Sequence, residues 1–153
     1  GDLALIKGGG GALLREKIVA AASRRMVVIA DQTKVVDKLG KFPLPIEIVR
    51  FGESATTAAI VAAFDAEATP VRLSPRLKPD GQRYLTDEGH FILDARMEDA
   101  AGRDTGQRIE NPASLAGRLV AIPGVVEHGL FIGLCFAAYV ASETGVARLA
   151  RKA

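Results

Sequence analysis

The chain contains no tryptophan, one cysteine and two histidines, and each scarcity removes a class of protein. With Cys135 alone, no disulfide can form within the chain, so a disulfide-stapled scaffold is excluded. His90 and His128 have no Cys, His or carboxylate companions at metal-ligand spacing, which leaves both as structural or surface residues. Aromatics make up 5% of the residues and the net charge is +2, too little of either for a nucleic-acid surface built on stacking and phosphate contacts. The two basic clusters, Arg24-Arg25 and Arg148/Arg151/Lys152, therefore read as solvated helix faces or ends. The longest uncharged run near the carboxyl end, Gly129 to Ser142, is 14 residues. A membrane span needs about 18 or more, so a buried strand is the expectation and no membrane partner is expected. No secretory n-region or cleavage pattern is visible, and the expected compartment is the cytoplasm.

What is present suits a folded protein: 153 residues, 48% hydrophobic and 25% charged, enough for one compact domain or two small ones. Leu3 to Ile6 reads as a short buried strand that the glycines after Lys7 terminate. Ala12 to Ser23 reads as a helix, and Met26 to Ala30 as a strand of the parallel-sheet type. Strand, glycine loop, helix and strand form a βαβ unit, whose functional residues gather at the carboxyl ends of the strands. Lys7 and the Asp31–Lys34 segment are thus expected at one sheet edge.

Phe42-Pro43-Leu44-Pro45 then punctuates the chain. An alternating segment follows over Ile46 to Phe51, then a helix over Ser54 to Phe64 and a short strand over Val71 to Leu73. A hairpin is expected where Thr86-Asp87-Glu88-Gly89 turns into His90 to Asp94. Asn111-Pro112 caps a helix running to about Ile122, and Val125 to Ile132 reads as another strand. This order is the ferredoxin-like split βαββαβ pattern. It reads as a domain over residues 43–132, inserted into a parallel α/β domain formed by residues 1–42 and 133–153.

The stretch Leu5 to Lys17, LIKGGGGALLREK, is where chemistry concentrates. Glycine costs about 0.8–1.0 kcal/mol relative to alanine inside a helix, so four in succession need a reason. Backbone N–H groups at a helix start attract an anion, and glycine lets that anion approach closely. Lys7 adds a full positive charge. The loop fits neither the GxGxxG nor the Walker pattern, and a flexible turn with an incidental lysine is the plainer alternative. Glu16 follows on the first turns of the helix, where a carboxylate often only complements the dipole. Its neighbours Leu13, Leu14, Ile18, Val19 and Ala20 predict burial, and a buried carboxylate facing an anion loop would serve as a general base. Lys34 is either a second cation for the same ligand or a surface lysine after a turn.

Four blocks, IKGGGGALLREKIVA, ADQTKVVDKLGKFPLPIEI, TDEGHFILD and IPGVVEHGLFIG, resemble the type A ribose-5-phosphate isomerases in order and spacing. The resemblance makes the outer domain Rossmann-like. It implies a cofactor-free and metal-free aldose–ketose isomerase that interconverts ribose 5-phosphate and ribulose 5-phosphate through an enediolate. On that basis Glu16 shuttles the proton between C1 and C2. Lys7 with Gly8, Gly9 and Gly10 forms a substrate-binding loop, and Lys34 is a separate substrate-binding lysine. A homodimer or homotetramer is expected, with the inserted domain offering surfaces for assembly. The family also carries, upstream of this stretch, a Gly-Thr-Gly-Ser-Thr type phosphate loop and an Asp-Gly-Ala-Asp segment, and these 153 residues hold neither. Leu134 to Tyr139 is also more apolar than the family's Ala-Asp-like segment there. The chain thus looks like the C-terminal two-thirds of the family fold, and little isomerase activity is expected of it alone. A non-catalytic sugar-phosphate sensor is the alternative; Glu16, which a sensor would not need, favours the enzyme.

Overall fold

The structure is a computed structural model and describes residues 2–151, so Gly1 and the Lys152 of the second basic cluster lie outside the described residues. The chain opens with β1 (Leu5–Ile6), the glycine loop, α1 (Leu13–Ala22) and β2 (Met26–Asp31), which ends in a 3-10 turn over Gln32–Lys34. Next come β3 (Leu44–Ile48), α2 (Glu53–Asp65), β4 (Arg72–Pro75), β5 (Phe91–Arg96), α3 (Pro112–Val120) and β6 (Val125–His128). The last three elements are β7 (Leu130–Phe131), β8 (Cys135–Ser142) and β9 (Gly145–Ala150).

The expected βαβ unit does not form as one sheet. β1 pairs antiparallel with β7, Leu5 opposite Phe131 and Ile6 opposite Leu130. β2 instead pairs parallel with β8, whose hairpin partner is β9. The reason is local. β1 is only two residues long, beginning at Leu5 because Leu3 takes a positive φ of 54°, and it forms a two-stranded sheet with β7. Gly129 then lets the incoming chain run close: Lys7 N–H donates to the Gly129 carbonyl at 2.8 Å, and a Cβ at Gly129 would collide with the Lys7 carbonyl and the Pro45 ring. β2 also departs from the fully buried strand its composition suggests. It alternates, with Met26, Val28 and Ala30 turned inward while Val27 and Ile29 are exposed.

β3, α2, β4, β5, α3 and β6 follow the expected βαββαβ order, and their strands form a four-stranded antiparallel sheet in the order β4-β5-β3-β6. Leu44, Ile46 and Ile48 of β3 pack with Ile60 and Phe64 of α2 and with Leu115 and Leu119 of α3 in one core. Burying each such side chain stabilises the fold by about 1.5–3 kcal/mol. The Asn111 side chain accepts from the Ser114 N–H at 3.0 Å, and Pro112 fills the first helical position of α3, which stops at Val120, two residues before the expected end. The 86–89 turn closes as expected, with Gly89 N–H donating to the Thr86 carbonyl at 2.9 Å. β5, however, lies between β4 and β3, and the turn ends the long loop from β4 rather than a tight two-strand hairpin.

The other face of this sheet carries Glu47 and Glu127, opposite each other on β3 and β6, and Asp94 on β5 opposite Pro45. α1 packs across this face, so all five residues of β3 are buried. This contact brings the helix bearing Glu16 against the antiparallel sheet.

Candidate functional site

The glycine loop is shaped by residues far away in sequence. Gly8 and Gly11 have φ of +88° and +92°, in the left-handed region that disfavours any side chain. A Cβ at Gly8 would strike Leu13, and one at Gly11 would strike the Tyr84 hydroxyl. Gly11 N–H closes the turn on the Gly8 carbonyl at 2.9 Å. Arg76 donates to the carbonyls of Gly8 at 3.3 Å and Gly9 at 3.0 Å, and Tyr84 donates to that of Gly10 at 3.4 Å. Arg76 is itself fixed by both oxygens of Asp94, one of them 2.9 Å from Nε. In a trans peptide the N–H points away from the C=O of the same plane. Holding the Gly8 and Gly9 carbonyls therefore turns the N–H groups of Gly9 and Gly10 the opposite way, where they donate to nothing among the described residues.

The three charged residues of α1 reach three different partners, as successive positions about 100° apart on a helix must. Arg15 clamps the 86–89 turn through Asp87 at 2.6 Å and Glu88 at 2.7 Å. Glu16 Oε2 lies 3.5 Å from Lys7 Nζ, so the predicted lysine–glutamate pair is brought together. The burial predicted for Glu16 is only partial: its side chain is 39% exposed, and Ile18 and Val19 on the same helix face outward. The shielding is confined to one atom. Oε2 is occluded and accepts no hydrogen bond, which leaves its lone pairs free beside the lysine.

A groove of about 560 Å³ opens here, lined by Lys7, Arg15, Glu16, Val19, Arg25 and Val27 among others. Lys34 does not line it. It sits on the 3-10 turn after β2, and because β1 and β2 belong to different sheets, strand pairing does not bring Lys34 to the edge that holds Lys7. Among the described residues, no three His, Cys, Asp or Glu side chains converge to hold a metal ion.

Lys17 is the anchor that the sequence did not single out. Its Nζ donates to Glu127 Oε1 and to the His128 carbonyl, both at 2.6 Å, and stands 3.2 Å from His128 Nδ1. It also lies 5.1 Å from the centre of the Phe131 ring, with Lys7 Nζ 5.9 Å from the same ring. Burial lowers the Lys17 pKa against the pull of Glu127. His128 Nδ1 accepts the Leu130 N–H at 3.2 Å, placing the ring proton on Nε2. Desolvation, with Lys17 adding repulsion, pushes the His128 pKa down to about 4. Its ordinary value is 6.5, so the unfolded chain takes up this proton first as the pH falls. Stability should therefore decline between pH 6.5 and about 4, by about 3 kcal/mol from this residue. Urea midpoints across that window should show a component that His128→Asn lacks; equal slopes in the two proteins would remove His128 as its source.

Fold and site together define an α/β protein of the Rossmann-like class with a ferredoxin-like βαββαβ unit, and a glycine loop beside a paired lysine and glutamate. The model of one family, ribose 5-phosphate isomerase A (phosphoriboisomerase A), matches residues 1–145, and the chain belongs to that family. A ribose-5-phosphate isomerase A of Brucella suis is 56% identical over 151 residues, covering 99% of this chain and 61% of the relative. One of Nitrobacter hamburgensis is 54% identical over 151 residues, with the same shares covered. The solved ribose 5-phosphate isomerase of Plasmodium falciparum superposes with a TM-score of 0.85 at 30% identity, over 99% of this chain and 61% of that one. The chain thus spans about three-fifths of the length of these relatives.

Proposed function

We propose that these residues supply the proton-transfer half of an active site that interconverts ribose 5-phosphate and ribulose 5-phosphate through an enediolate. The observation that carries the reading is the occluded, hydrogen-bond-free Glu16 Oε2 held 3.5 Å from Lys7. Moving a proton between C1 and C2 of a sugar needs one base that reaches both carbons, and fixed positive charge where the oxygen becomes negative. Glu16 is the base. Lys7 and the outward N–H groups of Gly9 and Gly10 face the developing enediolate, with Gly8 making the bend that presents them. Lys34, on the Asp31-capped turn after β2 and outside the groove that Lys7 and Glu16 line, is assigned to a different part of the substrate. Residues 1–42 and 133–153 form part of the catalytic domain and residues 43–132 the insertion, whose Arg76 and Tyr84 hold the glycine loop in shape. A homodimer or homotetramer is the assembly that goes with this reading.

The chain by itself is expected to turn over ribose 5-phosphate very slowly, because it contains no Gly-Ser/Thr phosphate loop to anchor the far end of the substrate. A coupled ribulose 5-phosphate assay should find activity near background for the 153 residues. An enzyme of the relatives' length that contains them should restore it. Equal turnover by both would show that the site is complete within this chain, and inactivity of both would overturn the assignment.

A further inference from the structure

We propose that the groove at the carboxyl end of α1, which adjoins the one lined by Lys7 and Glu16 and shares Arg25 and Met26 with it, binds a small anion bearing two or more phosphate charges. Its basis is a convergence that the sequence hides. Arg24 and Arg25, just beyond α1, line the same groove as Arg148 and Arg151 from the end of β9, although more than a hundred residues separate the two clusters. The groove has a volume of about 410 Å³, within the range of about 300–1,000 Å³ typical of small-molecule sites. No carboxylate lines it, and among the described residues none of the four arginines forms an ion pair. Elsewhere among the described residues Arg15, Arg72, Arg76, Arg83, Arg103, Arg108 and Arg118 are matched to acids, while Arg50 and Arg96 stand singly and do not converge on this groove.

Two of the four are also held in place. The Arg25 guanidinium stacks 4.5 Å from the centre of the Phe136 ring, and Arg151 Nη1 donates to the Gly133 carbonyl at 2.9 Å. Both contacts leave other N–H donors free. Arg24 and Arg25 alone would be accounted for as complements to the negative end of the α1 dipole. Arg148 and Arg151 come from another strand and have no such role. Four like charges around one concavity repel each other unless an anion sits among them, and arginine forks match phosphate oxygens. The concave shape and the net charge of only +2 favour a small anion over a nucleic-acid strand.

The test is a titration of the 153-residue chain with inorganic pyrophosphate, followed by amide chemical shifts. Saturable shifts are expected at Arg24–Met26, Gly133–Phe136 and Arg148–Arg151. The exposed double substitution Arg24→Ser with Arg148→Ser should weaken binding by about tenfold or more, since each removes charge-assisted hydrogen bonds. Its fold is checked by the unchanged shifts of the β3–β6 sheet. The proposal is overturned if pyrophosphate causes no saturable shift, if the shifts centre on Gly8–Leu13 instead, or if the double variant binds as tightly as the parent.

Discussion

Replacing Glu16 with glutamine, in an enzyme of the relatives' length that carries these residues, should lower turnover by about 10²–10⁴-fold, the range a positioned general base contributes. Sugar-phosphate binding should stay within a few-fold. Glutamine keeps the size and the contact surface of the side chain but cannot accept a proton at Oε2. That oxygen has no hydrogen bond to lose, and its ion-pair partner among the described residues is Lys7, so the substitution removes the basicity and that one pair without breaking a hydrogen-bond network. The decisive readout is isotopic. In heavy water the parent enzyme should place deuterium at C2 during exchange, and Glu16→Gln should not. Normal incorporation by the variant would assign the base to another residue.

The second large effect is expected at Lys17. Changing it to methionine should destabilise the chain by about 3 kcal/mol in urea unfolding, because it strands a half-buried carboxylate and the His128 carbonyl without their cation. A double variant, Lys17→Met with Glu127→Leu, should recover more than half of that loss, since an apolar pair removes the unmet charge. A single-variant cost below about 1 kcal/mol would show that the cluster is not the anchor of α1. The position matters for chemistry as well as stability. Lys17 ties α1 to residues 127 and 128, while Lys7 N–H is tied to Gly129 one residue further on. The same short segment therefore fixes both sides of the Lys7–Glu16 pair, and loosening it should blur their 3.5 Å separation.

Much of the local structure was legible because it is governed by neighbours in sequence. Asn111-Pro112 caps α3 through a side chain three residues from its partner, and Pro123-Gly124 ends the helical run soon after. The alternating segment Ile46 to Phe51 marks a strand, although β3 itself runs from Leu44 to Ile48, and the order βαββαβ follows from counting elements. Misreadings arose where a residue's environment depends on chain that is distant in sequence. Met26 to Ala30 has the composition of a strand covered on both faces, yet only its pairing with β8 decides which face is covered. Ile18 and Val19 made Glu16 look enclosed, whereas the helix turns them outward and shields only Oε2. Arg76, Tyr84 and Lys17 carried no local signal at all. Each acts on a backbone carbonyl or carboxylate more than 60 residues away.

The sequence by itself determined which residue types stand close along the chain: a glycine run, a lysine ahead of it, and a glutamate on the helix behind it. Helix geometry and glycine's freedom at positive φ are properties of a few consecutive residues, so they can be read in order. Only the tertiary structure decided that β1 joins β7 rather than β2, that Arg76 turns the glycine N–H groups outward, and that two arginine clusters share one groove. Those outcomes depend on which distant surfaces fit once the core has closed, and packing of that kind leaves no periodic trace along the chain.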